Sequence, residues 1–328
     1  MGDTWRWYRG SFLRQALIVA AALGFFGSTF HAEAADVAAI PQKSGTDATL
    51  MGLHFLDSAN GWAVGSGGTI VRTTDGGKHW KLASGATTVQ LSCVYFADRL
   101  HGWAVGGNGT LLHSQDGGGK WTAQASGTQS PLYGIFFLNP AKGWVVGGAG
   151  TILQTEDGGK HWTDQTSGVN ATLYAVQFLD ERRGKVVGAL GTILATEDGG
   201  KTWSAQETKS SATFFDLFFV DPMNGWAVGN AGAMFQTVNG GAQWVDRSLP
   251  CSGSCSRLTD LLRVRFTDSK AGWVVGERGT IFKTTDSGFN WMPQEHPTKS
   301  ALYGLSFPTA AQGWAAGERG TILQITAK

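Results

Sequence analysis

The sequence predicts an all-β protein: one seven-bladed β-propeller of four-stranded blades over residues 35–328, its ring closed by the N-terminal strand pairing in the last blade. Three observations carry this. A Gly-Trp dipeptide recurs at Trp62, Trp103, Trp144, Trp226, Trp273 and Trp314, and Lys185 holds the missing slot inside Gly184-Lys-Val-Val-Gly188. The intervals are 41, 41, 41, 41, 47 and 41 residues, which makes seven units with one six-residue insertion. Each unit carries four short strand-like segments between glycine-rich turns, the signature of a propeller blade. The last unit ends at Lys328 without a fourth segment, and the N-terminus supplies one.

The third unit shows the anatomy most clearly. Gly143-Trp-Val-Val-Gly147 reads as a second strand and Gly150-Thr-Ile-Leu-Gln-Thr155 as a third. Asp157-Gly-Gly-Lys160 turns into a fourth, Trp162–Thr166. Leu173-Tyr-Ala-Val-Gln-Phe178 alternates like a strand and opens the following unit. First strands begin at Leu50, Leu91, Leu132, Leu173, Phe214, Leu261 and Leu302. The segment Pro41–Leu50 aligns without gaps to Asp164–Leu173, so residues 37–44 are expected to pair with Thr321–Thr326. Such closure removes exposed sheet edges.

The turns match the Asp-box pattern, Ser/Thr-x-Asp-x-Gly-x-x-Trp. It pairs Asp75 with Trp80, Asp116 with Trp121, Asp157 with Trp162, Asp198 with Trp203, Asn239 with Trp244, and Asp286 with Trp291. The expected role is structural. An Asx side chain accepts backbone N–H groups within a turn, and glycine permits positive φ. The tryptophan then covers apolar surface between sheets. Six equivalent side chains spread around a ring do not converge as catalytic carboxylates must. The tyrosines of the first strands (Tyr95, Tyr133, Tyr174, Tyr303) read as packing, and the histidines show no metal-ligand spacing. No catalytic residue, cofactor or metal is expected.

The first 34 residues differ in kind. Arg6, Arg9 and Arg14 precede an 11-residue apolar run from Ala16 to Phe26, and Ala32-Glu33-Ala34 follows as an A-x-A site. The layout is that of a secretory signal peptide cleaved after Ala34, with an uncleaved anchor as the alternative. The expected compartment is the periplasm or its thylakoid-lumen equivalent. Without residues 1–34 the chain holds 23 Lys+Arg and 23 Asp+Glu, so nothing recommends a nucleic-acid partner. In an oxidising compartment Cys251-Ser-Gly-Ser-Cys255 is a candidate disulfide loop. Cys93, in an apolar strand, reads as a buried small hydrophobe.

The repeated Gly-Trp-Ala-Val-Gly plus Asp-box unit, seven times after a signal peptide, resembles the photosystem II stability/assembly factor family within the BNR-like propellers. The resemblance covers essentially all of residues 37–328. It implies a lumenal or periplasmic propeller, monomeric on its own, that assists assembly of a membrane or envelope complex without catalysis. Its partner would be a protein. The alternative is a glycan-binding or glycoside-hydrolase-type Asp-box propeller, since Asp boxes also mark sialidases.

Function is then sought where the repeat is broken. Hairpins between second and third strands emerge on the same face as the blade-to-blade connections. Most are small and nearly neutral, such as Gly106-Gly-Asn-Gly109, but the last two carry Glu277-Arg278 and Glu318-Arg319. The insertion near Pro250–Arg257 reaches that face too, so Arg257 joins this candidate partner-binding sector. Within the first strands the third slot holds charge only at Asp216 and Arg263, in adjacent blades. An inter-blade salt bridge between these two is expected, with a polar ligand site in the channel as the sharper reading.

Overall fold

The computed structural model describes residues 37–83, 86–248 and 259–327. The segment read as a signal peptide lies outside them, as do Cys251, Cys255 and Arg257. Every blade is built by the same local rules. In blades one to six the innermost strand runs over six residues, for example Leu132–Phe137, and buries positions one, four and six. Simple alternation would bury positions one, three and five. A register shift just after the first residue resets the phase, as a bulge does. The second strand, Gly143–Gly147 in blade three, is buried at all five positions. Blades press on both of its faces, so its apolar run is continuous rather than alternating.

Seven four-stranded antiparallel sheets result. In the seventh, Val37–Lys43 lies against Thr321–Ala327, with Val37 opposite Ala327 and Lys43 opposite Thr321. The outer strands of the other blades are shorter than the sequence suggests. In blade three the outer strand is Thr163–Asp164, two exposed residues. An outer strand packs against no further sheet, and a short polar edge is less able to pair with another chain. The third strand also begins two residues late, at Ile152, because Gly148–Gly150 forms a 3-10 turn.

The blades are locked together by aromatic side chains. Phe137, the last residue of its inner strand, lies flat against Trp103 of the preceding blade, with ring centroids 3.6 Å apart and planes 12° apart. The Asp-box Trp162 of its own blade meets its edge at 6.0 Å and 89°. On the second strand Gly143 leaves room for the ring, since a Cβ there would sit 2.5 Å from Phe137. The stacking repeats between Trp62 and Phe96 at 3.5 Å, Trp144 and Phe178 at 3.5 Å, and Trp314 and Phe55 at 3.7 Å. Trp226 on Phe266 and Trp273 on Phe307 are offset stacks, at 5.1 and 5.2 Å. The Gly-Trp dipeptide is thus one device: glycine makes space for the phenylalanine of its own blade, and tryptophan covers that of the next.

Blade four departs from this pattern. Lys185 occupies the tryptophan slot and is 3% exposed, so Phe219 of blade five keeps only the edge of Trp244 at 5.9 Å. Burial lowers the Lys185 pKa, opposed by the carboxylate of Glu197. No hydrogen bond or ion pair within bonding distance engages the ammonium among the described residues. Gln177 compensates in part. Its carboxamide accepts the Phe219 amide at 2.8 Å and donates to the Phe219 carbonyl at 3.1 Å.

Replacing Lys185 by Trp should restore the stack on Phe219 and remove a buried cation. The expected gain is about 1–2 kcal/mol, measured by urea unfolding. A midpoint at or below the parent's contradicts this reading of the slot.

Candidate functional site

The Asp boxes come first, being the richest concentration of carboxylates. In blade one the Thr73 hydroxyl donates to Asp75 Oδ1 at 2.8 Å and accepts the Gly77 amide at 2.9 Å. Asp75 Oδ1 also accepts the His79 amide at 3.0 Å. Gly77 takes φ +83, a conformation open to glycine but costly for most residues. The other boxes repeat this closure: Asp116 accepts the Lys120 amide, Asp157 that of His161, Asp198 that of Thr202, Asn239 that of Gln243 and Asp286 that of Asn290. Each acid is held ionised by its own turn. The His161 amide and ring pull Asp157 down to about 2, and the Thr202 hydroxyl does the same for Asp198. Trp80, Trp121 and Trp244 are buried, and Trp162, Trp203 and Trp291 half-buried, each meeting a phenylalanine edge-on. These residues build turns and do not share a pocket.

The second candidate is the hairpin sector of blades six and seven. Glu277–Gly279 and Glu318–Gly320 form 3-10 turns whose central residues, Arg278 and Arg319, take φ 54°. A left-handed conformation costs a non-glycine residue roughly 1–2 kcal/mol. Asn108, Ala149, Leu190 and Ala231 hold the equivalent position in other blades, so the hairpin geometry, not the side chain, imposes it. The result is that both arginines stand exposed at hairpin tips.

Glu318 does not pair with its neighbour. Its Oε2 accepts the Ala301 amide at 3.1 Å, closing the entry to its own blade. Asn230 serves Thr213 in the same way, and Ser66 serves Thr49. Burial, then the carboxylates of Glu318 and Glu277, push the Tyr303 hydroxyl above its usual pKa, so the two acids gather around that ring. Among the described residues neither Arg278 nor Arg319 has a hydrogen bond or ion pair. Arg319 lines a groove of about 560 Å³ together with Ser44, Asp47, Pro297 and Thr298. The Arg278 hairpin packs against the same connection, since a Cβ at Gly279 would press on the Thr298 carbonyl. The structure therefore brings Glu277, Arg278, Glu318 and Arg319 to one face.

The third candidate is the axial channel, where the expected salt bridge is corrected. Asp216, whose side chain is 7% exposed, pairs with Arg265 at 2.6 Å, not with Arg263. It also accepts the Val264 amide at 3.0 Å. Arg263 instead donates to the Leu262 carbonyl at 2.7 Å. The reason lies in how neighbouring inner strands lie side by side: Asp216 and Arg263 share a slot, but an inner-strand side chain reaches the amide one residue further along the next strand, as Gln177 reaches Phe219 and Ser306 reaches Phe55, so the Asp216 carboxylate meets the amide of Val264 and the side chain beyond it. Arg265 was missed because the fifth slot holds mostly ring residues (His54, Tyr95, Phe136, Phe218), and its charge among them was the available signal. Arg265 also lies 5.7 Å over the Phe218 ring. Cys93 is half-buried, packed against the Trp103–Phe137 core and also lining this channel.

Among the described residues no group of His, Cys, Asp and Glu is arranged to hold a metal. No helix of the described residues is long and apolar enough to cross a membrane.

Two measurements check this geometry. Asp216→Ala leaves a buried amide without its acceptor and a partly buried guanidinium with only the Val264 carbonyl, so about 2–3 kcal/mol of stability should be lost, while Arg263→Gln should change it by less than about 0.5 kcal/mol. Equal costs would return the bridge to Arg263. The second concerns pH. Burial, with the charge of Arg265, lowers His54 to about 4, and burial with the charge of His101 lowers His113 to about 4. A group whose folded pKa lies below its unfolded value of 6.5 favours unfolding as it takes up protons there. The urea midpoint should therefore fall between about pH 6.5 and 4, and His54→Gln/His113→Gln should flatten that fall. A slope unchanged in the double variant would contradict the assignment.

The family described as photosynthesis system II assembly factor YCF48 matches residues 34–124, 84–166, 160–213, 206–291 and 253–326. A comparison with curated proteins gave no match. Among solved structures, the chain is similar to a YCF48 bound to a D1 peptide, at 22% identity and TM-score 0.72, covering 89% of this chain and 95% of that one. It is similar also to YCF48 from Cyanidioschyzon merolae, at 20% identity and TM-score 0.71, covering 89% and 99%. A streptogramin B lyase shares the fold at 12% identity and TM-score 0.74, covering 89% and 97%. Such identities speak to the fold alone, whereas the family match repeats along nearly all of residues 34–326. By that match, the chain belongs to the photosynthesis system II assembly factor YCF48 family.

Proposed function

We propose that the protein is an exported, non-catalytic docking platform that helps assemble or stabilise a membrane protein complex, and that blades six and seven hold the partner. The observation that carries the site is the pair of guanidiniums at Arg278 and Arg319, unengaged among the described residues and held out on hairpins beside the groove. An arginine with free donors offers bidentate contacts to carboxylates and carbonyls, and exposed arginine is enriched where interfaces concentrate their energy. A docked segment that follows the groove past Pro297 and Thr298 would meet Arg319 directly. A YCF48 of the same fold is bound to a D1 peptide, which supports a protein segment as the partner. The layout of residues 1–34 supports delivery across a membrane, to the periplasm or a lumen equivalent to it. A non-catalytic role is supported by the Asp boxes, whose side chains are spent within their own turns.

The reading is tested by crosslinking in native membranes followed by affinity purification. Arg278→Glu/Arg319→Glu should lose co-purification of the membrane complex while the melting temperature stays within about 2 °C of the parent, since exposed side chains with no partner contribute little to stability. Undiminished co-purification would remove these residues from the interface. Specific retention of glycans in place of a protein would favour a carbohydrate-binding propeller.

A further inference from the structure

Around the axis, seven inner strands present their free edges to one another without pairing. The backbone groups on those edges need partners, and side chains reach one blade forward to supply them. Asp216 takes the Val264 amide, Gln177 takes both polar groups of Phe219, and the Ser306 hydroxyl accepts the Phe55 amide at 2.9 Å. Between these contacts remains a cavity of about 280 Å³, lined by inner-strand residues of all seven blades. It has room for about nine waters at their liquid volume, which is the scale of a single-ring molecule.

The charge inside this cavity does not balance. Asp216 is engaged by Arg265, whereas Arg263 has only the Leu262 carbonyl and no carboxylate among the described residues. Its field reaches the Cys93 thiol, and that of Arg265 reaches the His54 imidazole, so the excess positive charge is felt across the channel. The remaining wall is largely aromatic: Tyr95 packs against Phe136 at 5.5 Å, and Tyr133 against Tyr174 at 5.2 Å. A guanidinium with donors to spare in such surroundings is complementary to a carboxylate, which it binds through two parallel hydrogen bonds. The rings call for a flat apolar body. With Asp216 taken up by Arg265, one unpaired positive charge is left among the described residues of the channel, which matches a single carboxylate.

We propose that the axial channel is a binding site for a small organic monocarboxylate with a single-ring apolar body, its carboxylate on Arg263 and its ring against Tyr95 and Phe136. This site is separate from the hairpin sector and does not depend on what docks there.

The test is calorimetric titration of the purified mature protein with benzoate, phenylacetate and 3-phenylpropionate, each beside its neutral amide. At least one acid should bind saturably at one site per chain, with its amide weaker by tenfold or more. Arg263→Gln should weaken the acid by tenfold or more, and Ala175→Leu, which narrows the cavity while leaving every charge in place, should do likewise. Arg278→Glu/Arg319→Glu should bind as the parent does. Absence of saturable binding across the panel, equal binding of acid and amide, or undiminished binding by whichever of the two channel variants is folded would overturn the proposal.

Discussion

The propeller rests on a stacked pair repeated around its axis: a tryptophan from one blade on a phenylalanine of the next, with a glycine beneath that phenylalanine. Each member constrains the others. The ring of Phe137 needs the space at Gly143, and its opposite face needs the indole of Trp103. That arrangement makes the second strand apolar throughout, because it carries an interblade face on each side. It also explains the composition. Fourteen tryptophans and 48 glycines suggest an aromatic binding surface, yet outside the first 34 residues every tryptophan follows a repeat glycine or closes an Asp box. The indoles tie turns as well: Trp62 donates to the Gly117 carbonyl of the next Asp box at 2.9 Å, and Trp103 to that of Gly158 at 3.2 Å. Stacking, edge packing and turn closure thus act on the same few atoms, and a slip in one blade is felt in its neighbour.

Much of this was legible because repetition averages out local ambiguity. The inner strand Leu173–Phe178 and the second strand Gly143–Gly147 have the bounds their alternation and glycines suggest. The outer strands are shorter than the pattern suggests because Trp162, which looks like a strand residue, belongs to the turn and only Thr163–Asp164 pairs. The third strand starts at Ile152 and not at Gly150, because Gly150 closes the 3-10 turn that begins at Gly148, and that geometry has no strong signature beyond glycine. The site was legible as a set of departures but not as contacts. Slot comparison picks out Asp216, yet the one-residue offset that sets its carboxylate on Val264 and Arg265 depends on how neighbouring inner strands lie side by side. Likewise Arg278 and Arg319 were visible as charges, while their left-handed backbone was hidden. Only the glycine at the matching place in blade one, Gly67, hinted at it.

The departures are not scattered evenly. Blades one to three keep the pattern, with tight stacks on Phe96, Phe137 and Phe178. Blades four to seven collect Lys185, the Asp216–Arg265 pair, Arg263 with no carboxylate among the described residues, and the two charged hairpins. A regular arc that holds shape, joined to an irregular arc that carries charge, is an economical division within one repeat. Gln177 shows how the irregular arc remains closed where its stack is missing, by exchanging aromatic contact for two hydrogen bonds. The hairpin tips and the channel then use backbone positions that the repeat already provides.

The most direct test of the interblade stack is a double-mutant cycle on Trp144 and Phe178, each replaced by Leu, followed by equilibrium urea unfolding. Their rings lie 3.5 Å apart and belong to different blades. If the stack holds the ring together beyond simple burial, the two substitutions should be coupled by about 0.5–1.5 kcal/mol, and Trp144 should show no coupling to the distant Phe55. Strictly additive losses at Trp144 and Phe178 would contradict the account.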